Sequence, residues 1–274
     1  MTAAPPASQP PALRAAPVLR AILLGASNLK ASLPWIVDSL RRRAGGPVEV
    51  LAACGHGRSY GEVSRFLFVR RLPGIESCGL WRALEERPGF PAVPTVALVT
   101  DVGNDLAYGE PLERIAGWVA TCLARLSRRE AVTVLTLLPL ASLERLSPLR
   151  YTLARSVLFP GRDVPWDTLL DRARRLDGVL RRLGRDWKAN VVEPQAAWYG
   201  LDPVHLRRGA RRAVWGKALD PWWETLPGTA KAGPGLRRWR VPVFGAEQYR
   251  LLRKERQTVQ PALRFADGST VELY

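Results

Sequence analysis

The sequence predicts an α/β fold, a central parallel sheet of about five strands with helices on both faces. Three observations predict it. Short apolar runs recur at a length that suits strands buried on both faces. Between them lie longer amphipathic stretches of helical period. At 274 residues the chain is long enough to bury one large core. Strands that alternate with helices favour parallel pairing, because a crossover element must return the chain to the same edge of the sheet.

The first apolar run, Val18 to Leu24, ends in a tight turn at Gly25-Ala26-Ser27-Asn28, and Ala31 to Arg43 reads as an amphipathic helix closed by Gly45-Gly46. Ser27 therefore stands at the carboxyl end of a strand, the edge where open α/β sheets bind ligands. A serine there is either a nucleophile or a helix N-cap. Val48 to Ala53 is the second run, and Cys54 to Gly61 the loop after it. Glu62 to Arg71 and Glu76 to Arg87 read as helices separated by Pro73-Gly74. Thr95 to Thr100 is a third strand, closed by Asp101-Val102-Gly103-Asn104-Asp105. Leu112 to Arg128 is a helix, Ala131 to Leu138 a fourth strand, and Leu140 to Trp166 an irregular segment with a short helix around Leu149 to Val157. Long irregular loops are often functional, and this one falls where a cover over the sheet edge could form. Asp167 to Leu183 is a charged helix, Ala189 to Val192 a fifth strand, Gly200 to His205 a loop, and Leu206 to Thr225 the closing helix.

Three parts follow from this pattern. Met1 to Pro17 is an Ala/Pro-rich tail whose only charge is Arg14; it lacks the basic start and apolar core of a signal peptide and reads as disordered on a cytoplasmic protein. Residues 18–227 form the main domain. Residues 228–274 are a Gly/Ala/Lys linker and a small β appendage, with a hairpin of Ala262 to Phe265 and Thr270 to Leu273 turning at Asp267-Gly268. No apolar stretch approaches the roughly 20 residues of a membrane helix.

Composition narrows the chemistry. The formal charge is +16, yet the basic residues are mostly Arg dispersed through every expected helix, without a nucleic-acid-binding or phosphate-loop pattern. Nonspecific polyanion binding follows from such a charge, and a specific nucleic-acid partner does not. The three cysteines, Cys54, Cys78 and Cys122, have no regular spacing, so neither a disulfide framework nor a zinc knuckle is expected. With only His56 and His205 as histidines, a multi-histidine metal centre is disfavoured, and no cofactor is expected.

Ser27, Gly57 and Asn104 lie in the loops after the first, second and third strands, and Asp202-Pro203-Val204-His205 precedes the last helix. This order resembles the SGNH (GDSL-type) hydrolases, whose marker blocks supply a Ser, a Gly, an Asn and an Asp-x-x-His in that chain order. The resemblance runs from about Val18 to Thr225. It implies a three-layer flavodoxin-like fold and ester hydrolysis with Ser27 as nucleophile, His205 as base and Asp202 orienting the imidazole. It also implies an oxyanion hole formed by the Ser27 and Gly57 backbone N–H groups and the Asn104 amide. Glycine suits its place because the missing Cβ lets backbone approach a substrate.

Two blocks depart from the family pattern. The first is typically Gly-Asp-Ser and here is Gly25-Ala26-Ser27, so a supporting carboxylate is missing. The third is typically Gly-x-Asn-Asp and here is Val102-Gly103-Asn104-Asp105. Gly57-Arg58-Ser59-Tyr60-Gly61 matches Gly-x-Ser-x-Gly, the nucleophile elbow of α/β-hydrolases. Only two strands precede it, however, and it would leave Ser27 and Asn104 without a role, so Ser59 reads as a helix N-cap. Arg58 and His56 either contact an acidic substrate group or border the cleft. Trp198 and Tyr199 are candidates for an acyl pocket, while Trp215, Trp222 and Trp223 read as core.

The sequence thus predicts a serine esterase acting on a small-molecule, sugar or lipid ester through an acyl-enzyme on Ser27. The same site could serve an acyltransferase. A non-catalytic polyanion-binding protein on a degenerate hydrolase scaffold is the alternative from a different class.

Overall fold

A computed structural model of the chain describes residues 16–66, 70–87, 93–145, 165–226 and 239–274. Most of the expected N-terminal tail, the short helix expected around Leu149 to Val157 and the Gly228 to Gly235 linker lie outside the described residues.

Five parallel strands form where the apolar runs stand: β1 (Leu19–Leu24), β2 (Val48–Ala53), β5 (Thr95–Val99), β6 (Val132–Thr136) and β7 (Asn190–Val192). The elements between them are α1 (Ser27–Arg43), a hairpin of β3 (Ser64–Phe66) and β4 (Arg70–Leu72), and α2 (Leu80–Glu85). Then come α3 (Asn104–Ala107), α4 (Leu112–Ser127), α5 (Leu140–Leu143) and α6 (Trp166–Asp186). A 3₁₀ turn at Ala196–Trp198 leads through the His205 loop to α7 (Arg211–Ala218) and α8 (Asp220–Thr225). The C-terminal part adds β8 (Gln248–Leu251), β9 (Lys254–Gln257), β10 (Leu263–Arg264) and β11 (Thr270–Leu273).

The central sheet runs β10-β11-β2-β1-β5-β6-β7. Its five expected strands follow the doubly wound flavodoxin order. Period-two alternation sends Ile22, Leu24, Leu51, Ala97 and Val99 to one face, where α2, α4 and α6 cover them. Ala21, Leu23, Val50, Val96 and Leu98 go to the other, beneath α1, α7 and α8. This produces the three layers. The Trp215 and Trp222 side chains are fully buried in the second face, and burying one large apolar side chain is worth about 1.5–3 kcal/mol.

Three expectations change. The sheet has seven strands, not five, because the C-terminal hairpin is built into it. β11 pairs in parallel with β2, Val271 opposite Val50, and the N–H of Tyr274 bonds the C=O of Ala52 at 3.0 Å. The segment is therefore no appendage outside the sheet: Val271 and Leu273 join the α1-side core, and burial of that apolar face outweighs independence of the tail. Residues 62–71, read as a helix, hold the β3–β4 hairpin instead. β4 finds β8 as a partner, Arg71 opposite Arg250, in a separate four-stranded sheet β3-β4-β8-β9; a partner so far along the chain overrides local helix preference. The closing helix is two, α7 and α8, with Pro221 in the first turn of α8, where its missing N–H costs no intrahelical bond.

No described helix is long and apolar enough to cross a membrane.

Candidate active site

Because β2, β1 and β5 are neighbours and parallel, the loops carrying Gly57, Ser27 and Asn104 leave the sheet side by side. The ladder continues past the strand ends, with Gly25 N–H bonding Ala53 C=O at 3.1 Å and Thr100 N–H bonding Leu24 C=O at 2.9 Å. The buried Tyr60 hydroxyl sits beneath, 2.8 Å from Thr100 C=O and 3.2 Å from Leu24 C=O. These contacts fix the platform on which the loops stand.

Ser27 opens α1, four residues earlier than the sequence pattern places the helix, and it is not the N-cap. Ala26 holds that position, without a capping side chain of its own. The cap comes from Asp101, just beyond β5. Its Oδ2 accepts the N–H groups of Ala26 at 2.9 Å, Asn28 at 3.1 Å and Leu29 at 3.1 Å. Its Oδ1 accepts Asn28 Nδ2 at 2.9 Å. Asp101 adopts φ +60°, a left-handed conformation that Asp and Asn tolerate better than other non-glycine residues. Sequence reasoning missed this residue. The carboxylate absent at Ala26 is supplied to the same helix end from a neighbouring strand, and the only hint was an acidic residue directly after an apolar run.

Ser27 Oγ lies 2.8 Å from His205 Nε2, and His205 Nδ1 lies 2.6 Å from Asp202 Oδ2. Asp202 also organises its own loop, since Oδ1 accepts the N–H groups of Val204 at 3.0 Å and His205 at 3.1 Å. The three side chains form one hydrogen-bonded chain open to solvent at its outer end: Ser27 is 8% exposed, whereas the side chains of His205 and Asp202 are 33% and 50% exposed. The Asp202 hydrogen bond raises the His205 pKa against an opposing burial effect. Burial pushes the Asp202 carboxyl upward, but its bonds to His205 and to the Val204 N–H hold it below its ordinary value. Each partner thus favours the charged form of the other.

Gly57 has φ +60°, and a Cβ there would lie 2.9 Å from the Tyr108 hydroxyl. That hydroxyl donates to the C=O of Gly57. Asn104 opens α3, and its Nδ2 donates to the C=O of Arg58 at 3.3 Å, so Gly57 and Asn104 belong to one tied pair of loops. Tyr199 bridges Leu206, the residue after His205. Burial, followed by the Asp101 charge, raises the Tyr199 phenol pKa. Trp198 and Tyr199 pack against the α1-side core and so brace the histidine loop from behind.

The residues around the Gly-x-Ser-x-Gly match serve the framework. Ser59 is fully buried. Its hydroxyl donates to Asp105 and accepts the N–H groups of Gly61 at 3.1 Å and Glu62 at 2.8 Å. It caps a turn; no helix follows it. Burial raises Asp105 to about 6 although Ser59 and the Tyr60 N–H favour its charged form. Arg58, read as a candidate substrate contact, is also fully buried. It donates to the backbone oxygen of Tyr274 and to Pro73 C=O at 3.0 Å, tying the Gly57 loop to the C-terminal strand instead of facing a cleft. His56 is half-buried, and burial together with Lys30, Arg70 and His205 lowers it to about 4. Cys54 is partly buried and packs against the α1-side core, and burial of its thiol raises the pKa to about 11.

Fold and loop placement together define an α/β protein with the SGNH-hydrolase architecture. The sequence matches no protein-family profile and no curated protein. Among solved structures the chain is similar to Est24, a carbohydrate acetylesterase from Sinorhizobium meliloti, with 11% identity, 76% of this chain and 100% of that chain covered, and a TM-score of 0.50. A GDSL-like lipase from Bacteroides thetaiotaomicron aligns with 11% identity over 75% of this chain and 87% of its own, at a TM-score of 0.47. The psychrotrophic esterase EstA from Pseudoalteromonas sp. aligns with 14% identity over 75% and 99%, at a TM-score of 0.45. At these identities the likeness shows the fold alone.

Proposed function

We propose that this protein is a serine hydrolase that cleaves a carboxylic ester through an acyl-enzyme on Ser27. One observation carries the reading: Ser27 Oγ, His205 and Asp202 stand in a single hydrogen-bonded relay at 2.8 Å and 2.6 Å, at the carboxyl edge of a parallel sheet. Ser27 Oγ attacks the ester carbonyl while His205 Nε2 takes its proton. Asp202 holds the imidazole in the tautomer that presents a bare Nε2 and stabilises the imidazolium that forms. The imidazolium then protonates the departing alcohol, and the same histidine activates the water that releases the acid. Transfer to another alcohol in place of water is acyl transfer on the same residues.

The oxyanion is assigned to the Ser27 and Gly57 backbone N–H groups and Asn104 Nδ2. Two features support the assignment. Asp101 takes the amides on both sides of Ser27, at Ala26 and Asn28, but not that of Ser27. The Gly57 backbone is fixed by the Tyr108 hydroxyl in a conformation that a side chain would strain. The structural neighbour Est24, a carbohydrate acetylesterase, is in keeping with ester chemistry.

Fluorophosphonate labelling with peptide mapping, run beside hydrolysis of short and medium p-nitrophenyl esters, tests it. Label on Ser27, abolished by Ser27→Ala or His205→Ala and kept by Ser59→Ala, is the expected result. Label on Ser59, or a folded protein with neither label nor turnover, overturns it. Steeply salt-dependent nucleic-acid binding without turnover would instead favour the polyanion-binding reading.

A further inference from the structure

The contact between Ser27 and His205 joins residues 178 positions apart. Asp202 orders the histidine within its own loop, but that order says nothing of where the loop sits relative to α1. Asn28, the residue after Ser27, makes the connection. Its Nδ2 donates to Val204 C=O at 2.9 Å, and its Oδ1 accepts Leu206 N–H at 2.9 Å. One amide therefore grips the backbone on both sides of His205. The second proton on Nδ2 goes to Asp101 Oδ1 at 2.9 Å. The amide orientation is unambiguous, because a flip would set an NH₂ against the Leu206 N–H and an oxygen against both Val204 C=O and Asp101.

From this geometry we infer that Asn28 is a positioning residue that sets the reach between Ser27 Oγ and His205 Nε2, with Asp101 as its anchor. The inference rests on the function proposed above. The Tyr199–Leu206 bridge braces the loop from the far side, whereas Asn28 ties it to the helix that carries Ser27, and a displacement of about 1 Å in a reacting pair can cost about 100-fold in rate. Asn28 is itself buried, 8% exposed, so water is poorly placed to replace its bonds.

The test compares wild type with Asn28→Ala and Asn28→Asp, the second keeping the shape and the acceptor for Leu206 while losing both donated bonds. Fluorophosphonate labelling of Ser27 and kcat on p-nitrophenyl acetate are expected to fall about 100-fold. KM should stay within about twofold, since the loss falls on the reacting pair rather than on ground-state binding. The His205 imidazole, followed by ¹⁵N NMR as one of two histidines, should keep its raised pKa, because Asp202 travels with it. Rates within about threefold of wild type in the folded variants, or a loss confined to KM, would overturn the inference. So would a His205 pKa that returns to its ordinary value along with the lost rate, since the loop itself would then have come apart. If folded wild type carries no label on Ser27, the reading beneath the inference fails first, and that outcome is visible before any variant is compared.

Discussion

Replacing Asp101 by asparagine isolates the charge at the start of α1 without changing the shape of the side chain or the tolerance of its φ of +60°. The carboxylate accepts three backbone N–H groups on Oδ2 and the Asn28 amide on Oδ1. Asparagine has one oxygen. Turned toward the three backbone groups, it leaves its own NH₂ against the Asn28 NH₂, so one hydrogen bond becomes a contact between two donors. The three remaining bonds lose their charge assistance, about 1 kcal/mol each, and the helix end loses its anion. The sum is roughly 4 kcal/mol, which for a chain of this size lowers Tm by about 10 °C. Thermal unfolding followed by circular dichroism reads the shift. Fluorophosphonate labelling of Ser27, measured well below the new Tm, should slow as well, because Asn28 has lost its anchor. A Tm drop below about 3 °C, with the labelling rate unchanged, would refute the claim that this carboxylate organises the helix that Ser27 opens.

Other outcomes follow from the same geometry. Asp202→Asn should lower kcat by about 10⁴-fold with the fold intact, since the amide no longer selects the productive tautomer. In wild type, kcat/KM should rise with pH through an apparent pKa above the ordinary imidazole value, in keeping with the direction of the His205 shift; in Asp202→Asn the residual activity should rise through a lower pKa. A wild-type limb at or below pH 6.5 would contradict the coupling. Asn104→Ala should cost about 100- to 1,000-fold in kcat with little change in KM, measured on p-nitrophenyl acetate. His56 binds its proton only near pH 4 in the folded state but at its ordinary value when unfolded. The unfolded chain therefore holds more protons between about pH 6.5 and 4, and stability declines as pH falls through that window. His56→Gln should flatten that part of the Tm–pH curve, and an unchanged slope would refute the assignment.

What the sequence by itself determined is the parallel core and the loops at its carboxyl edge. Apolar runs such as Leu19–Leu24 and Thr95–Val99 are buried along their whole length, a local property that composition and length report directly. That Ser27, Gly57, Asn104 and the Asp202–His205 pair stand in loops just after a strand or just before a helix was legible for a related reason, since turns are written locally; the roles proposed for them come from the family resemblance. Tertiary structure alone decided what depends on distant partners. Ser64–Phe66 and Arg70–Leu72 became paired strands, with β8 beside the second, and the C-terminal hairpin became part of the sheet because β2 had an unpaired edge. Arg58 turned inward because the Tyr274 backbone oxygen and Pro73 lie there to accept its protons. Asp101 and Asn28 carry no signal that periodicity could find. Their roles exist only once β5 lies against β1 and the His205 loop closes over α1, because a hydrogen bond acts over about 3 Å of space and takes no account of separation along the chain.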